Sequence, residues 1–221
     1  MSKERRKAEE EMRARARRKK RILLGVVLAA CVCVVCAIVL VRMNRQGESS
    51  SASAYTADIV VKDYGTITVE LDAEAAPKTV ENFVSLAESG FYDGLTFHRI
   101  MDGFMIQGGD PNGDGTGGSG ETITGEFSAN GYDNPLSHTR GTISMARSSD
   151  YDSASSQFFI MQEDTTSLDG QYAAFGHVTS GMEVVDAICE DAQPTDDNGT
   201  IPADQQPVIE TITVHSGEEN N

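Results

Sequence analysis

Between residues 55 and 221, apolar and polar positions alternate over short stretches, a pattern typical of β-strands. Two such stretches, 58–63 and 66–71, flank Tyr64-Gly65 and predict a hairpin. Further strands are predicted at 142–145, 158–161, 172–178 and 208–214. Helical spacing of apolar residues predicts two short helices, over 78–89 and 182–188. About eight strands and two helices predict a mainly β fold, most simply a closed barrel.

The segment 97–110, FHRIMDGFMIQGGD, sets one arginine and one amide into an apolar run. Asp102-Gly103 predicts a turn, so the segment is expected to form a hairpin. Strand alternation predicts that Phe97, Arg99 and Met101 share one face. After the turn, alternation predicts that Phe104, Ile106 and Gly108 face one side of the strand and that Met105 and Gln107 face the other. The hairpin would bring Arg99 and Gln107 to the rim of an apolar patch, where a donor can act beside an apolar ring. From this segment alone, an arginine on a strand surface stays the alternative.

The N-terminal part of the chain carries a membrane-segment pattern. Residues 22–41 are twenty residues without a charge, and as a helix they would span roughly 30 Å. Residues 1–21 hold eleven Lys/Arg and four Glu, and such a basic flank favours the cytoplasmic side. The sequence therefore predicts a basic cytoplasmic tail (1–21), a transmembrane anchor (22–41), a flexible linker (42–54), an extracytoplasmic domain (55–216) and a polar tail (217–221).

Two alternatives to an uncleaved anchor stay open. A signal peptide could be cleaved, although its apolar region is usually only about 7–15 residues long. Lipidation at Cys31 is the second alternative, because Leu28, Ala29 and Ala30 precede it as in a lipoprotein site, yet the residues after Cys31 remain apolar.

Charge and cysteine content narrow the function of the domain. Residues 55–221 hold five Lys/Arg and 29 Asp/Glu. The resulting negative electrostatic potential opposes nucleic-acid binding. Cys189 is the one cysteine in this part of the sequence, which excludes a disulfide framework there. The four histidines show no metal-binding spacing, and no serine lies in a hydrolase motif. No metal or cofactor is expected.

The glycine-rich stretch 108–120 has two interpretations. Asp110, Asn112, Asp114, Gly115 and Glu121 satisfy the spacing of a calcium-binding EF-hand loop. However, strand-like residues flank the loop where an EF-hand needs helices. The other interpretation is a glycine loop that brings its backbone close to a ligand groove.

Five motifs together resemble the cyclophilin-type peptidyl-prolyl isomerases, in their bacterial form. They are FHRIMDGFMIQGGD, GTGGSG, GTISMAR, SSQFFI and LDGQYAAFGHV, in the order and at the spacing of that family. The resemblance implies an eight-stranded antiparallel barrel capped by two helices, which agrees with the count of predicted elements. It also implies a catalytic role for Arg99 and a role for Gln107 in binding peptide and orienting that arginine.

The resemblance implies a peptide-binding role for ten further residues. The implied proline pocket comprises Phe104, Met105, Phe159 and Leu168, while the surrounding groove comprises Gly115, Ala146, Arg147, Ser148, Gln157 and Tyr172. Three positions depart from the well-known eukaryotic pattern. Ser167 replaces a tryptophan, which argues against strong cyclosporin binding; Tyr172 replaces a histidine; and Arg147 replaces an asparagine.

The function expected from the sequence is a membrane-anchored, monomeric isomerase. It would accelerate folding of proline-containing exported proteins at the outer face of the cell membrane, without a cofactor, since slow X–Pro isomerisation limits folding. A binding module that holds proline-containing segments without catalysis is the alternative, and a calcium-binding surface protein is a weaker one.

Overall fold

The computed structural model describes residues 55–217, which form one eight-stranded antiparallel sheet and two helices. The strands are β1 Tyr55–Val61, β2 Gly65–Leu71, β3 Thr96–Met101, β4 Met105–Asp110, β5 Thr142–Met145, β6 Phe158–Met161, β7 Ala174–Ser180 and β8 Ile209–Ser216. The helices are α1 Pro77–Glu88 and α2 Met182–Asp191, and short 3₁₀ turns lie at Ser128–Asn130 and Thr166–Leu168.

Several predicted segments lie outside the described residues. They are the basic tail (1–21), the anchor (22–41) with Cys31, the linker (42–54) and residues 218–221 of the polar tail. Among residues 55–217, no helix has the length and hydrophobicity needed to cross a membrane.

The sheet is an open half-barrel, so the predicted closed barrel is wrong. Its strand order is β3-β4-β6-β5-β7-β2-β1-β8, which leaves β3 and β8 at the two edges. Thr96 forms an isolated bridge with Val208, but β8 then pairs along its length with β1. The loop before β8 covers β3 instead, since Ile100 N donates to Gly199 O and Ile201 N donates to His98 O. A loop therefore occupies the place where a closing ladder was expected.

Helix α1 confirms the predicted apolar stripe and begins with a cap from a distant segment. Val80, Phe83 and Ala87 are buried, and the Phe83 ring lies 5.2–5.5 Å from the rings of three other core aromatics, Tyr92, Phe158 and Phe175. The helix has no side-chain cap of its own. Instead the buried carboxylate of Glu126 accepts hydrogen bonds from Lys78 N, Thr79 N and Thr79 Oγ1 at 2.8–3.1 Å. This carboxylate binds the free N–H groups at the positive end of the helix.

A β-bulge at His98 overturns the predicted alternation along β3. Phe97 pairs with Gly108 and Arg99 pairs with Gln107, so residues 97–99 of β3 lie opposite only residues 107–108 of β4. The extra residue places Phe97 and Arg99 on opposite faces. Phe97 is fully buried in the main core, while Arg99 faces the other side.

Strand β6 is buried on both faces and separates two apolar clusters. Phe158 and Ile160 belong to the main core, whereas Phe159 and Met161 pack with Met105 in a second cluster. Phe104 also contacts the second cluster. The prediction that Phe104 and Met105 face opposite ways is wrong, because Phe104 lies in the turn before β4, where strand alternation does not apply.

Candidate active site

A row of paired residues crosses four neighbouring strands and carries the polar part of the site. Arg99 on β3 pairs with Gln107 on β4, Gln107 pairs with Phe159 on β6, and Phe159 pairs with Ser144 on β5. Residues that are paired across strands lie on the same face of a sheet. The sheet register thus places a guanidinium, an amide and an aromatic ring side by side.

Three contacts fix the Arg99 guanidinium. Nε donates to Asn198 O at 2.7 Å, Nη1 donates to Gln107 Oε1 at 3.1 Å, and Nη2 lies 3.1 Å from Met101 Sδ. A guanidinium has five N–H donors, so two are left without a partner among the described residues. Burial lowers the pKa of Arg99, and the influence of Tyr172 and Asp196 opposes that effect. Because an arginine titrates far above neutral pH, the group remains a cation with free donors.

Two amides connect Arg99 to the glycine loop. Gln107 Nε2 donates to Gln157 Oε1 at 2.9 Å, and Gln157 Nε2 donates to Gly117 O at 2.8 Å. We call this chain, Arg99–Gln107–Gln157–Gly117, the amide relay. It orients both amides, because each oxygen accepts and each nitrogen donates along the chain. Gly117 is needed at its end, since a Cβ there would clash with Asp110 Oδ1.

A cavity of about 210 Å³ opens beside the Arg99 guanidinium. Its floor is apolar and polar groups lie at its rim, and we call it the apolar cavity after its floor. The second apolar cluster forms its floor through Met105 and Phe159, which are almost completely buried. The Tyr172 ring meets the Phe159 ring edge-to-face at 5.8 Å. The lining residues are Arg99, Phe104, Met105, Gln107, Ala146, Arg147, Phe159, Leu168 and Tyr172. The cavity can therefore hold a small apolar ring with hydrogen-bond donors at its rim.

A second cavity of about 210 Å³ is polar and shares one wall with the first. Gln107, Ala146 and Arg147 line both cavities. The other lining residues are Gly115, Thr116, Gly117, Ser148, Ser153, Ser155 and Gln157. The two cavities form adjacent sites along a groove, as an extended peptide requires.

All twelve residues that the sequence nominated line at least one of these cavities. Their catalytic and binding roles remain predictions. The sequence did not nominate Thr116, Gly117, Ser153 and Ser155, although Thr116 and Gly117 lie in the GTGGSG motif and Ser155 lies in the SSQFFI motif. It also missed Asn198, whose contact with Arg99 spans 99 positions and carries no local signal.

The glycine loop holds its acidic residues with its own backbone. The Asp110 carboxylate accepts hydrogen bonds from the N–H groups of Asn112, Asp114 and Gly115, and Asp114 accepts two from Thr116. Strand β4 precedes the loop and no helix follows it up to the 3₁₀ turn at Ser128. Within residues 55–217, no three His, Cys, Asp or Glu side chains are grouped to hold a metal ion. The geometry favours the interpretation as a glycine loop over the EF-hand.

Asp169, His138 and Ser144 form a hydrogen-bonded chain behind the apolar cavity. His138 Nδ1 lies 2.9 Å from Asp169 Oδ1, and Nε2 lies 3.0 Å from Ser144 Oγ. The order resembles a hydrolase triad, but Ser144 is fully buried and no substrate carbonyl can reach it. The His138 ring stacks on Phe159 at 5.9 Å between centroids. The chain therefore supports the cavity wall.

Comparisons with known proteins were consistent with this geometry. The family model described as "Cyclophilin type peptidyl-prolyl cis-trans isomerase/CLD" matches residues 56–216. Peptidyl-prolyl cis-trans isomerase B of Bacillus subtilis is 49% identical over 128 residues, which are 58% of this chain and 86% of that protein. A Helicobacter pylori peptidyl-prolyl cis-trans isomerase is 46% identical over 138 residues, covering 61% and 82%.

A solved structure shares the fold. It is the Cryptosporidium parvum cyclophilin-type isomerase determined in the presence of the dipeptide Ala-Pro. It matches with a TM-score of 0.64 and 32% identity, over 73% of this chain and 99% of that one.

Proposed function

Because this chain belongs to the cyclophilin-type peptidyl-prolyl isomerase family and is a peptidyl-prolyl cis-trans isomerase, we propose that Arg99 is its catalytic hydrogen-bond donor. We also propose that the enzyme acts on exported proteins at the membrane. The observation that carries the catalytic part is the Arg99 guanidinium, which keeps two free N–H donors at the rim of an apolar cavity. The apolar cavity would hold the proline ring, and the polar cavity would hold the residues that precede it.

The chemistry requires a donor and no nucleophile. Rotation about an X–Pro bond breaks amide resonance, against a barrier of ~18–20 kcal/mol. In the twisted state the proline nitrogen becomes pyramidal and regains a lone pair. A donor aimed at that nitrogen binds the transition state better than either planar isomer, and this difference lowers the barrier.

The residues around Arg99 would make that donor effective. The amide relay fixes the guanidinium before substrate binds, so little reorganisation accompanies the reaction. Met105 and Phe159 exclude water from the ring site, which strengthens the hydrogen bond from Arg99. Tyr172, which replaces the family's histidine, supplies an aromatic wall in the same cavity.

The N-terminal sequence supports the proposed site of action. Residues 22–41 are uncharged and long enough to cross a bilayer, and a strongly basic segment precedes them. This arrangement would retain the N-terminus in the cytoplasm and present the isomerase domain outside. Exported chains fold there, and their X–Pro bonds isomerise over tens to hundreds of seconds without help.

Protease accessibility of the full chain tests this location. A C-terminal epitope on the wild type should sediment with membranes and be destroyed when protease is added to intact spheroplasts. Deletion of residues 22–41 should move the protein to the soluble, protected fraction. Protection of the wild-type epitope would contradict the proposed orientation. Membrane retention of Cys31→Ser would distinguish a spanning anchor from lipidation.

A further inference from the structure

Arg147 is surrounded by aromatic rings. The guanidinium carbon lies 4.7 Å from the ring centroid of Tyr172, 4.8 Å from that of Tyr151 and 5.1 Å from that of Phe127. All three distances are within the range of a cation–π interaction. We call these four residues the Arg147 cage. A flat cation can contact several rings at once, which a rounded ammonium does less well.

The same guanidinium also donates to backbone carbonyls on two segments. Nε and Nη2 donate to Gln171 O at 3.0 and 2.8 Å, and Nη1 donates to Ser148 O at 2.8 Å. All three nitrogens are thus engaged within the chain. The side chain is directed toward its own protein and not toward a substrate carboxylate.

The cage joins three segments that are distant in sequence. Phe127 follows the glycine loop, Tyr151 lies in the loop after β5, and Tyr172 precedes β7. The Phe127 and Tyr151 rings meet edge-to-face at 5.2 Å, so the cage is continuous from one loop to the next. Tyr151 is 38% exposed and is the most exposed large hydrophobic side chain within residues 55–217. Its position therefore depends on these contacts more than on burial.

These segments form walls of both cavities. Tyr172 lines the apolar cavity, Ser148 and Ser153 line the polar one, and Arg147 lines both. Ser148 N donates to Ser153 Oγ at 2.9 Å, so the cage also supports the loop that carries these serines. A change at Arg147 would move both walls together.

We propose that Arg147 is a positioning residue that sets the width of the peptide groove through its planar, multiply bonded guanidinium and not through its charge. The inference rests on the proposed peptide site. The contrary view is that the cation selects peptides by charge, in which case lysine would serve as well. An arginine-to-lysine exchange separates the two, because lysine keeps the charge but loses the planar fork.

The experiment uses the full chain and compares the wild type with Arg147→Lys and Arg147→Met. Exchange NMR would measure isomerisation of Ala-Ala-Pro, Glu-Ala-Pro and Lys-Ala-Pro peptides over a range of concentrations. We expect both variants to raise KM roughly tenfold for all three peptides, with kcat within about twofold of the wild type, because the groove binds ground state and transition state alike. Arg140→Lys, which alters an exposed arginine paired with Asp186, is the matched control and should change neither constant.

Three kinetic outcomes would overturn the proposal. Wild-type behaviour of Arg147→Lys, or a KM change confined to the Glu-containing peptide, would show that the planar guanidinium does not set the width of the groove. A lower kcat at unchanged KM in both variants would show that Arg147 does not shape the peptide-binding groove.

A spectroscopic readout tests the cage without turnover. In protein labelled with 3-fluorotyrosine, the ¹⁹F resonances of Tyr151 and Tyr172 should shift in Arg147→Lys, while those of the other four tyrosines stay in place. Unchanged Tyr151 and Tyr172 resonances would refute the positioning role. Absence of isomerisation by the wild type would contradict the proposed function instead, and the ¹⁹F comparison would still decide the role of Arg147.

Discussion

Arg99 donates from Nη1 to Gln107 Oε1 over 3.1 Å, because the bulge at His98 brings these two residues into register on one face of the sheet. Gln107 in turn donates to Gln157, which follows 50 positions later in the chain. The direction in which Arg99 points therefore depends on an amide that does not touch it.

The first prediction concerns the amide relay. Gln157→Leu removes the acceptor of Gln107 Nε2 and the donor to Gly117 O. We expect kcat/KM to fall by roughly 5- to 30-fold, equivalent to about 1–2 kcal/mol, with most of the loss in kcat because Arg99 is less firmly aimed. Exchange NMR with an Ala-Pro peptide measures both constants. Gln205→Leu, at an exposed glutamine, is the control, and equal constants for the two variants would contradict a role for the relay.

The second prediction concerns the cap of α1. Glu126→Gln replaces one acceptor oxygen by an N–H₂ group that faces Lys78 N or Thr79 N. Because the site is buried, we expect the free energy of unfolding to fall by about 1–3 kcal/mol. Urea unfolding followed by circular dichroism measures this change. Glu121→Gln, at an exposed glutamate, should leave the free energy of unfolding unchanged. If Glu126→Gln also leaves it unchanged, the cap does not stabilise the fold.

Calcium provides the third prediction. Since the Asp110 carboxylate is already engaged by three backbone N–H groups, 1 mM Ca²⁺ should shift the melting temperature of the full chain by less than about 1 °C. A site of micromolar affinity would instead add about 4 kcal/mol, or roughly 8–16 °C. A shift of that size, abolished in Asp114→Asn, would restore the EF-hand interpretation.

The fourth prediction is a loss of stability as the pH falls below about 6.5. Burial lowers the pKa of His98, although Asp110 and Asp114 oppose it, and burial also lowers the pKa of His138, where Asp169 opposes it. The unfolded chain takes up these protons near pH 6.5 while the folded chain does not, so stability is complete above that pH and falls as the pH decreases. The slope is at most about 1.4 kcal/mol per pH unit for each histidine.

Urea unfolding at pH 7.5 and 5.5 measures this dependence. Neither ring nitrogen of His98 has a hydrogen-bond partner among residues 55–217, and the side chain is buried. His98→Phe should therefore reduce the difference in the free energy of unfolding between the two pH values, whatever its effect on absolute stability. His177→Phe, at an exposed histidine, should leave the difference intact. If His98→Phe leaves the stability difference between pH 7.5 and 5.5 unchanged, the pH dependence arises from other groups.

Local patterns were sufficient for most of the secondary structure. Helix α1 and strands β2, β5 and β6 were predicted nearly to their ends, because strand alternation, the initial Pro77 and the terminal Gly90 act on neighbouring residues. Strand β1 was predicted over 58–63 but runs Tyr55–Val61. The boundary of β7 was placed two residues early. The apolar pair Tyr172 and Ala173 looks like the start of a strand but belongs to the cavity wall and to the loop that precedes β7.

Features that join distant segments could not be predicted in this way. The bulge at His98 adds one unpaired residue to β3, and the alternation of polar and apolar residues in the sequence does not reveal it. The open edge of the sheet depends on the loop around Gly199, which covers β3. Arg147 was identified as a groove residue from its motif, but its three aromatic partners lie on segments that only the fold brings together.

The central claim is that Arg99 donates to the proline nitrogen in the twisted state. The most direct measurement is cis–trans exchange of an Ala-Pro peptide by NMR, with the full-length wild type beside Arg99→Ala and, as a control, Arg140→Ala. We predict that Arg99→Ala lowers kcat by about 10²–10³, or roughly 3–4 kcal/mol, while the peptide still binds and Arg140→Ala stays near the wild type. Turnover by Arg99→Ala within a few fold of the wild type, or peptide binding by the wild type without faster exchange, would contradict the proposed mechanism.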